Sequence, residues 1–237
     1  MSETVRLAKR VAEVFHCSRT EATQYIEGGN VTVNGVVVEE SGFRIAPDAQ
    51  LALAPNATLA PIEPVTILLH KPAALSFDAA ARLVEPANRA ADDRSGVQFL
   101  KRHTTGLEML DALENAAGGL LVFSQDWRIR RKLVDDIARV EQEYVVEVSG
   151  QMIADGLTLL NQSVVFNGKP VAALKVSWQN ETRLRFAFKG GSSRLIAFVC
   201  EKVGLGVVSV KRIRIGRVPL AGLAAGQWRY LLGYEQF

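Results

Sequence analysis

The 237-residue chain has only two cysteines, Cys17 and Cys200, and three histidines, His16, His70 and His103. The cysteines lie far apart and mark no disulfide scaffold, and no histidine stands at ligand spacing from another histidine or from a cysteine. Long apolar runs are missing as well. Charges interrupt every hydrophobic stretch well before the roughly 18 to 20 residues needed to cross a bilayer. The opening MSETVRLAKR has no signal-peptide core. Scarce cysteine and this opening together predict a reducing, cytoplasmic location and no membrane association. There is no Walker loop and no dinucleotide fingerprint, because Gly190-Gly191-Ser192-Ser193 lacks the Gly-Lys-Thr type of ending. The sequence therefore predicts neither a metal nor an organic cofactor.

What is present is an ordinary globular composition, 48% hydrophobic and 22% charged, which buries a core. The length suits two units. A net charge of +3 says little about partners, but its distribution says more. Residues 201 to 237 carry Lys202, Lys211, Arg212, Arg214, Arg217 and Arg229 against Glu201 and Glu235, a local excess of four positive charges. Such a strip suits phosphate contact or is a solvated strand edge.

At the N-terminus, Val5, Leu7, Ala8, Val11, Val14 and Phe15 recur at helical spacing, with Arg6, Lys9, Arg10 and Glu13 left for the other face. Ser18 and Glu21 stand in the spacing of a capping box at the start of a second helix, which Gly28-Gly29 ends. VTVNGVVVEE follows, two β-branched runs joined by Asn34-Gly35, the dipeptide that best accepts the positive φ angles of a type I′ turn. LALA is a short strand, and PNATLAPIEP, with three prolines in ten residues, is the domain boundary.

Beyond it, VTILLHKP reads as an apolar strand. Residues 78 to 105 show one turn signal and a helix near 95 to 102. GGLLVFSQD is a buried strand, DWRIRRKLVDDIARV a helix and EQEYVVEVSG an alternating strand. QMIADGLTLLNQS reads as a short helix and loop, SRLIAFVCEKVG as a helix and VVSVKRIRIGRV as strand. Strands joined mainly to strands, with few helices, make this an α+β domain on a mixed, largely antiparallel sheet.

The helix-helix-hairpin unit resembles the S4 RNA-binding domain, through Arg6-Leu7-x-Lys9, Cys17-Ser18-Arg19-x-Glu21-Ala22, Ile26, Gly29, Val31 and Val33-Asn34-Gly35. That resemblance implies RNA contacts at Arg6, Lys9 and Arg19. Residues 1 to 60 hold five basic and seven acidic side chains, so any affinity belongs to a local face. The rest resembles the pseudouridine synthases that carry such a domain. The residues concerned are His70-Lys71-Pro72, Gly119 to Asp126, Glu141-x-Glu143-Tyr144-Val145-Val146-Glu147-Val148, Gly190-x-x-x-Arg194-x-Ile196, Lys211 to Gly216, and Leu223, Gly226, Trp228 and Arg229. The expected division is an S4 domain over 1–60, a linker over 61–66 and a synthase-like domain over 67–237.

This resemblance implies isomerisation of uridine in RNA without a cofactor, by an aspartate in an Arg-Leu-Asp-x-x-x-x-Gly-Leu-Leu pattern. A gapless match on Gly119-Leu120-Leu121 puts Ala112 at the arginine, Leu113 at the leucine and Glu114 at the nucleophile. Asp111 fits only with three inserted residues, and reads as a bystander. The family's partner arginine falls on Ala197, with Arg194 one turn earlier as a replacement, and its basic residue two before the tyrosine falls on Gln142. Tyr144 is implied to stack on the flipped uracil. Lys71, Arg194, Lys211, Arg212 and Arg214 complete the expected RNA-contacting set, although Lys211, Arg212 and Arg214 alternate faces, so that at least one is structural. The expected partner is structured RNA, ribosomal ahead of transfer RNA, bound by a monomer. Two functions follow: an isomerase using Glu114, ahead of Asp111, with Tyr144 as the base platform, and a catalytically silent RNA-binding homologue acting in ribosome assembly or competing for a site.

Overall fold

In a computed structural model, which describes residues 4–190 and 193–237, the chain divides into two units. Positions 191 and 192, inside the Gly190 to Ile196 stretch, lie outside the described residues. The first unit comprises Met1–Pro64 together with Gln98–Gly106, and the second comprises Val65–Val97 with Leu107–Phe237.

The first unit begins with β1 (Val5–Arg6), α1 (Leu7–Val14) and α2 (Arg19–Glu27). The Ser18 hydroxyl accepts the Glu21 amide proton at 3.2 Å and the Glu21 carboxylate accepts the Ser18 amide proton at 2.7 Å, so the capping box is complete. Strands β2 (Val31–Val33) and β3 (Val36–Val37) are joined by Asn34 and Gly35 at φ 51° and 82°, the left-handed pair that a type I′ turn requires. Strand β4 (Arg44–Ile45) pairs with β1, and β5 (Leu51–Leu53) closes a sheet of order β3-β2-β5. Leu7, Val11, Ala22, Ile26, Val31, Val33 and Ile45 form its core, which buries the helical stripes read from the sequence.

Segment 98–106 corrects the expected boundaries. It belongs with the first unit, where the Lys101 amide donates to Glu39 and Arg102 pairs with Glu27. Its helical turn is a 3₁₀ turn over Lys101–Thr104, in place of the helix expected near 95 to 102.

The second unit is built on β6 (Thr66–Lys71), α3 (Phe77–Arg82), β7 (Glu108–Leu110), β8 (Gly118–Ser124), α4 (Trp127–Arg130) and β9 (Glu141–Gly150). It continues with α5 (Gly156–Leu160), the hairpin β10 (Val164–Phe166) and β11 (Lys169–Val171), β12 (Lys175–Asn180), β13 (Arg183–Lys189), α6 (Ser193–Lys202), β14 (Leu205–Ile215), β15 (Val218–Pro219) and β16 (Trp228–Tyr230). A nine-stranded sheet runs β12-β13-β9-β14-β8-β6-β16, with β15 added to β14 and β7 to β8. Only β14 and β8 pair in parallel among these, which gives the mixed α+β architecture that the sequence predicts. The helix read over 126–140 is broken into three pieces: α4, a π turn over Arg131–Asp135 and a 3₁₀ turn over Ile137–Arg139.

Strand β9 alternates strictly. Gln142, Tyr144, Val146 and Val148 face inward, and Glu141, Glu143, Val145 and Glu147 face out. The outward carboxylates meet guanidinium groups on neighbouring strands: Arg185 holds Glu143 at 2.6 Å, and Arg214 holds Glu141 at 2.7 Å and Glu143 at 3.0 Å. Hydrogen bonds from Arg214, before any other influence, draw both glutamates below their ordinary value of 4.5. A carboxyl depressed in the folded state contributes stability above its unfolded pKa and loses that contribution as pH falls through the folded one. The melting temperature is therefore expected to fall as pH drops from about 5 toward 3. Arg214→Ala should flatten that dependence in a thermal-melt series. An unchanged slope would show that these pairs do not set acid stability.

Candidate active site

The parallel junction of the sheet is a fork. Along one edge of β8, Gly118 and Gly119 pair with Lys211 and Arg212 of β14, whereas Val122 to Ser124 pair with β7. Leu120 lies between the two partners, and its carbonyl accepts a 2.8 Å hydrogen bond from Arg212 Nε. Chain leaving β7 crosses this fork as residues 111–117, and it carries both carboxylates that the sequence singled out.

Asp111 sits at the mouth of that crossing with φ 49°. Its Oδ2 accepts from Arg212 Nη1 at 2.7 Å and from Gln142 Nε2 at 2.7 Å, and its carbonyl accepts from Arg212 Nη2 at 2.8 Å. The Tyr144 hydroxyl donates to Gln142 Oε1, extending the network. Arg212 is 1% exposed. Burial raises the Asp111 carboxyl above its usual range, against the pull of Arg212. Asp111 is thus one half of a buried ion pair at the fork, which replaces the bystander reading. Arg212 is fully engaged inside the protein, so its expected place among the RNA contacts is corrected.

Lys71 is corrected on the same ground. It is fully buried, and its Nζ donates to the carbonyls of Ala117 at 2.7 Å, Asn115 at 3.0 Å and Pro72 at 3.2 Å. Only desolvation is at work on its ammonium, and it lowers the pKa. The side chain braces the crossing from below. Leu113 and Ala117, both 2% exposed, anchor the same segment in the core.

Between these anchors Glu114 turns toward solvent, and Arg194 at the start of α6 meets it, Nε to Oε1 at 3.0 Å. In α6, Leu195, Ile196, Val199 and Cys200 are buried while Arg194 and Ala197 are exposed, so the replacement arginine lies on the face where the expected one would stand. The pair itself is open, with side-chain exposures of 76% for Arg194 and 39% for Glu114. An ion pair this solvated adds less than about 1 kcal/mol to stability. What it sets is the direction of the Glu114 carboxylate, on a segment anchored by Leu113, Ala117 and the Lys71 bonds.

Tyr144 lies beneath, 1% exposed and stacked on Phe188 at 5.3 Å between ring centroids. One ring face is taken by Phe188 and the hydroxyl by Gln142, so the ring forms part of the floor and presents no open platform. Ala112 and Ala197 are both exposed. Of the other expected RNA contacts, Arg6, Lys9, Arg19 and Lys211 are exposed, whereas Arg214 is held by Glu141 and Glu143. The sequence reading missed Phe188, the Gln142 bridge and the bracing role of Lys71. A lysine ending the apolar strand TILLHK was the one available signal for the last.

His70 is also turned inward. Its Nδ1 lies 2.6 Å from the Leu223 carbonyl, which can only accept, so that nitrogen carries the proton. Burial is the main cause that lowers its pKa. The imidazole ties β6 to the segment before β16 and is a structural group. Among the described residues, no group of three or more His, Cys, Asp or Glu side chains is placed to hold a metal ion.

Comparison with known proteins agrees with this architecture. The S4 domain family matches residues 5–51. Over 234 residues the chain is 25% identical to an uncharacterised RNA pseudouridine synthase of Aquifex aeolicus, covering 98% of this chain and 94% of that protein. It is 27% identical over 238 residues to the dual-specificity RNA pseudouridine synthase RluF of Escherichia coli, covering 98% and 77%. With the ribosomal large subunit pseudouridine synthase B of Bacillus subtilis it shares 26% identity over 239 residues, covering 97% and 93%. A crystal structure of a pseudouridylate synthase superposes with a TM-score of 0.58 at 19% identity, covering 96% of each chain. Over nearly its whole length the chain is thus similar to RNA pseudouridine synthases, and its N-terminal residues match the S4 domain family.

Proposed function

We propose that the protein acts in the cytoplasm as a monomer on structured ribosomal RNA, isomerising a uridine to pseudouridine with Glu114 as the catalytic carboxylate. One observation carries this reading: the residue at the nucleophile position of the gapless match is met at 3.0 Å by a guanidinium 80 residues away in sequence. A charge-assisted hydrogen bond of this kind orients the carboxylate. The Lys71 bonds and the buried Leu113 and Ala117 hold its backbone still. The relatives supply the substrate class, since their names describe RNA and the ribosomal large subunit.

Glutamate is one methylene longer than the family's aspartate, and a misplacement of about 1 Å can cost a hundredfold in rate. Arg194, one turn earlier on α6 than the position of the family's arginine, is the cation that meets this longer side chain. In the assay, purified protein is incubated with ribosomal and transfer RNA tritiated at uridine C5, and release of the C5 hydrogen is followed. The wild type is expected to release tritium from ribosomal RNA, and Glu114→Gln to lower the rate at least about 100-fold.

A second reading is favoured by different observations. Tyr144 is closed by Phe188 and Gln142, and the exposed Ala112 and Ala197 bring no functional group to the site. Groups that work as a unit fail together. On that reading the protein is a silent homologue that binds RNA in ribosome assembly or occupies a site. Wild-type protein that binds ribosomal RNA and releases no tritium would decide for it.

A further inference from the structure

Trp127 opens α4 with 66% of its surface exposed, against 40% for Trp178, while Trp228 is buried. Asp126 caps this helix start by accepting the Arg128 amide proton at 2.8 Å, so the backbone that carries the indole is fixed. Residues 127–132, WRIRRK, hold four positive charges and no acidic residue. Two of the four are directed by neighbours: Arg128 lies 3.2 Å from Asp126 and Arg130 lies 3.0 Å from Glu108. Arg131 and Lys132 are exposed and make no ion pair with a described residue.

The local geometry brings Arg131 to the side of the helix that carries Trp127. The Arg131 amide donates to the Trp127 carbonyl, which places Arg131 one turn beyond the indole. From there the backbone widens into the π turn over Arg131–Asp135, a feature that recurs at functional sites. Leu133 turns into the core while Arg131, Lys132 and Val134 stay outside. Asp135 and the Arg139–Asp136 pair bound the patch at its far end.

We propose that this face is a second RNA contact, in which an unpaired base stacks on Trp127 and Arg131 and Lys132 take the adjacent phosphates. The proposal rests on the RNA-binding reading above but not on catalysis. An exposed aromatic ring framed by cations is the combination that holds a single strand without reading its sequence. A duplex offers no free base face. A protein partner would find one other exposed large hydrophobic side chain in segment 127–135, Val134, and four cations to pair.

The full chain is titrated with a single-stranded dodecauridylate and with an RNA duplex of equal charge, following anisotropy of the labelled RNA and tryptophan emission. The single strand is expected to quench the emission, and Trp127→Phe to remove most of that quench while binding within about threefold of wild type. Trp127→Ala should weaken single-strand binding about tenfold and duplex binding far less. Arg131→Ala and Lys132→Ala should each lower the slope of log affinity against log salt by about one. Trp127→Ala binding the single strand as wild type does, with the quench retained, would overturn the platform. The same holds if the loss is equal on the duplex. A wild-type chain that binds neither RNA nor ribosomal RNA would instead overturn the RNA-binding reading, and this proposal with it.

Discussion

Gly119→Ala is expected to leave almost no folded protein. Gly119 has φ +106°, a conformation that L side chains rarely adopt, and a Cβ built there falls 2.2 Å from the Arg212 carbonyl oxygen and 2.5 Å from its amide nitrogen. Both contacts are with backbone of β14, held in register by the β9 ladder, so no rotamer change relieves them. The change breaks the one parallel junction of the described sheet and the fork beneath the site. The penalty should exceed about 4 kcal/mol, in the range kept for strain at a special backbone angle. Gly118→Ala is the control. Its Cβ would meet the Ala73 amide and the Lys71 carbonyl at 3.1 Å, tight but with an ordinary φ, and should cost about 1 to 2 kcal/mol. Soluble yield and urea unfolding separate the two. Equal stability of Gly119→Ala and wild type would show that β8 and β14 do not approach in this way.

Much of this architecture is legible in the sequence, because it rests on local chemistry. The capping box at Ser18 and Glu21, the Asn34-Gly35 turn and the alternation of β9 depend on neighbours a few residues away, and all three form as read. The environments of single charges are less legible. Lys71 ends a strand with all six residues buried, so there is no alternation to show that its ammonium points into the molecule. Strand β14 carries two register shifts, between Val207 and Ser209 and between Arg212 and Arg214, and strand parity is lost across each. That is why Arg212 and Arg214, both expected to touch RNA, are found holding carboxylates of the same protein. Segment 98–106 joins the first unit through pairs 62 and 75 residues apart in sequence, which no local pattern announces. At the site, sequence could say that Arg194 was one turn from the expected arginine. Only the fold shows it meeting Glu114.

Arg212→Met should cost about 3 to 5 kcal/mol, the usual effect of removing one partner from a buried ion pair. The lost guanidinium leaves the Asp111 carboxylate without its cation, and the carbonyls of Leu120 and Asp111 without their donors. Asp111→Asn adds the test of coupling. Asparagine tolerates the left-handed φ of 49° and brings no charge, so the double variant should recover 1 to 3 kcal/mol relative to the sum of the single losses. The cost should also depend on pH in a definite sense. In the wild type, burial already raises the Asp111 pKa against Arg212, and without that cation it rises further. A carboxyl raised in the folded state contributes stability that is fully present below its unfolded value of 3.8 and is lost as pH rises through the folded pKa. Arg212→Met is therefore expected to be least destabilised near pH 4 and most destabilised near pH 8, relative to wild type, in parallel urea titrations. In the Asp111→Asn background this pH dependence should vanish. A penalty for Arg212→Met that is the same at both pH values would mean that Asp111 is solvated in solution and that the fork is held by the carbonyl bonds of Arg212 alone.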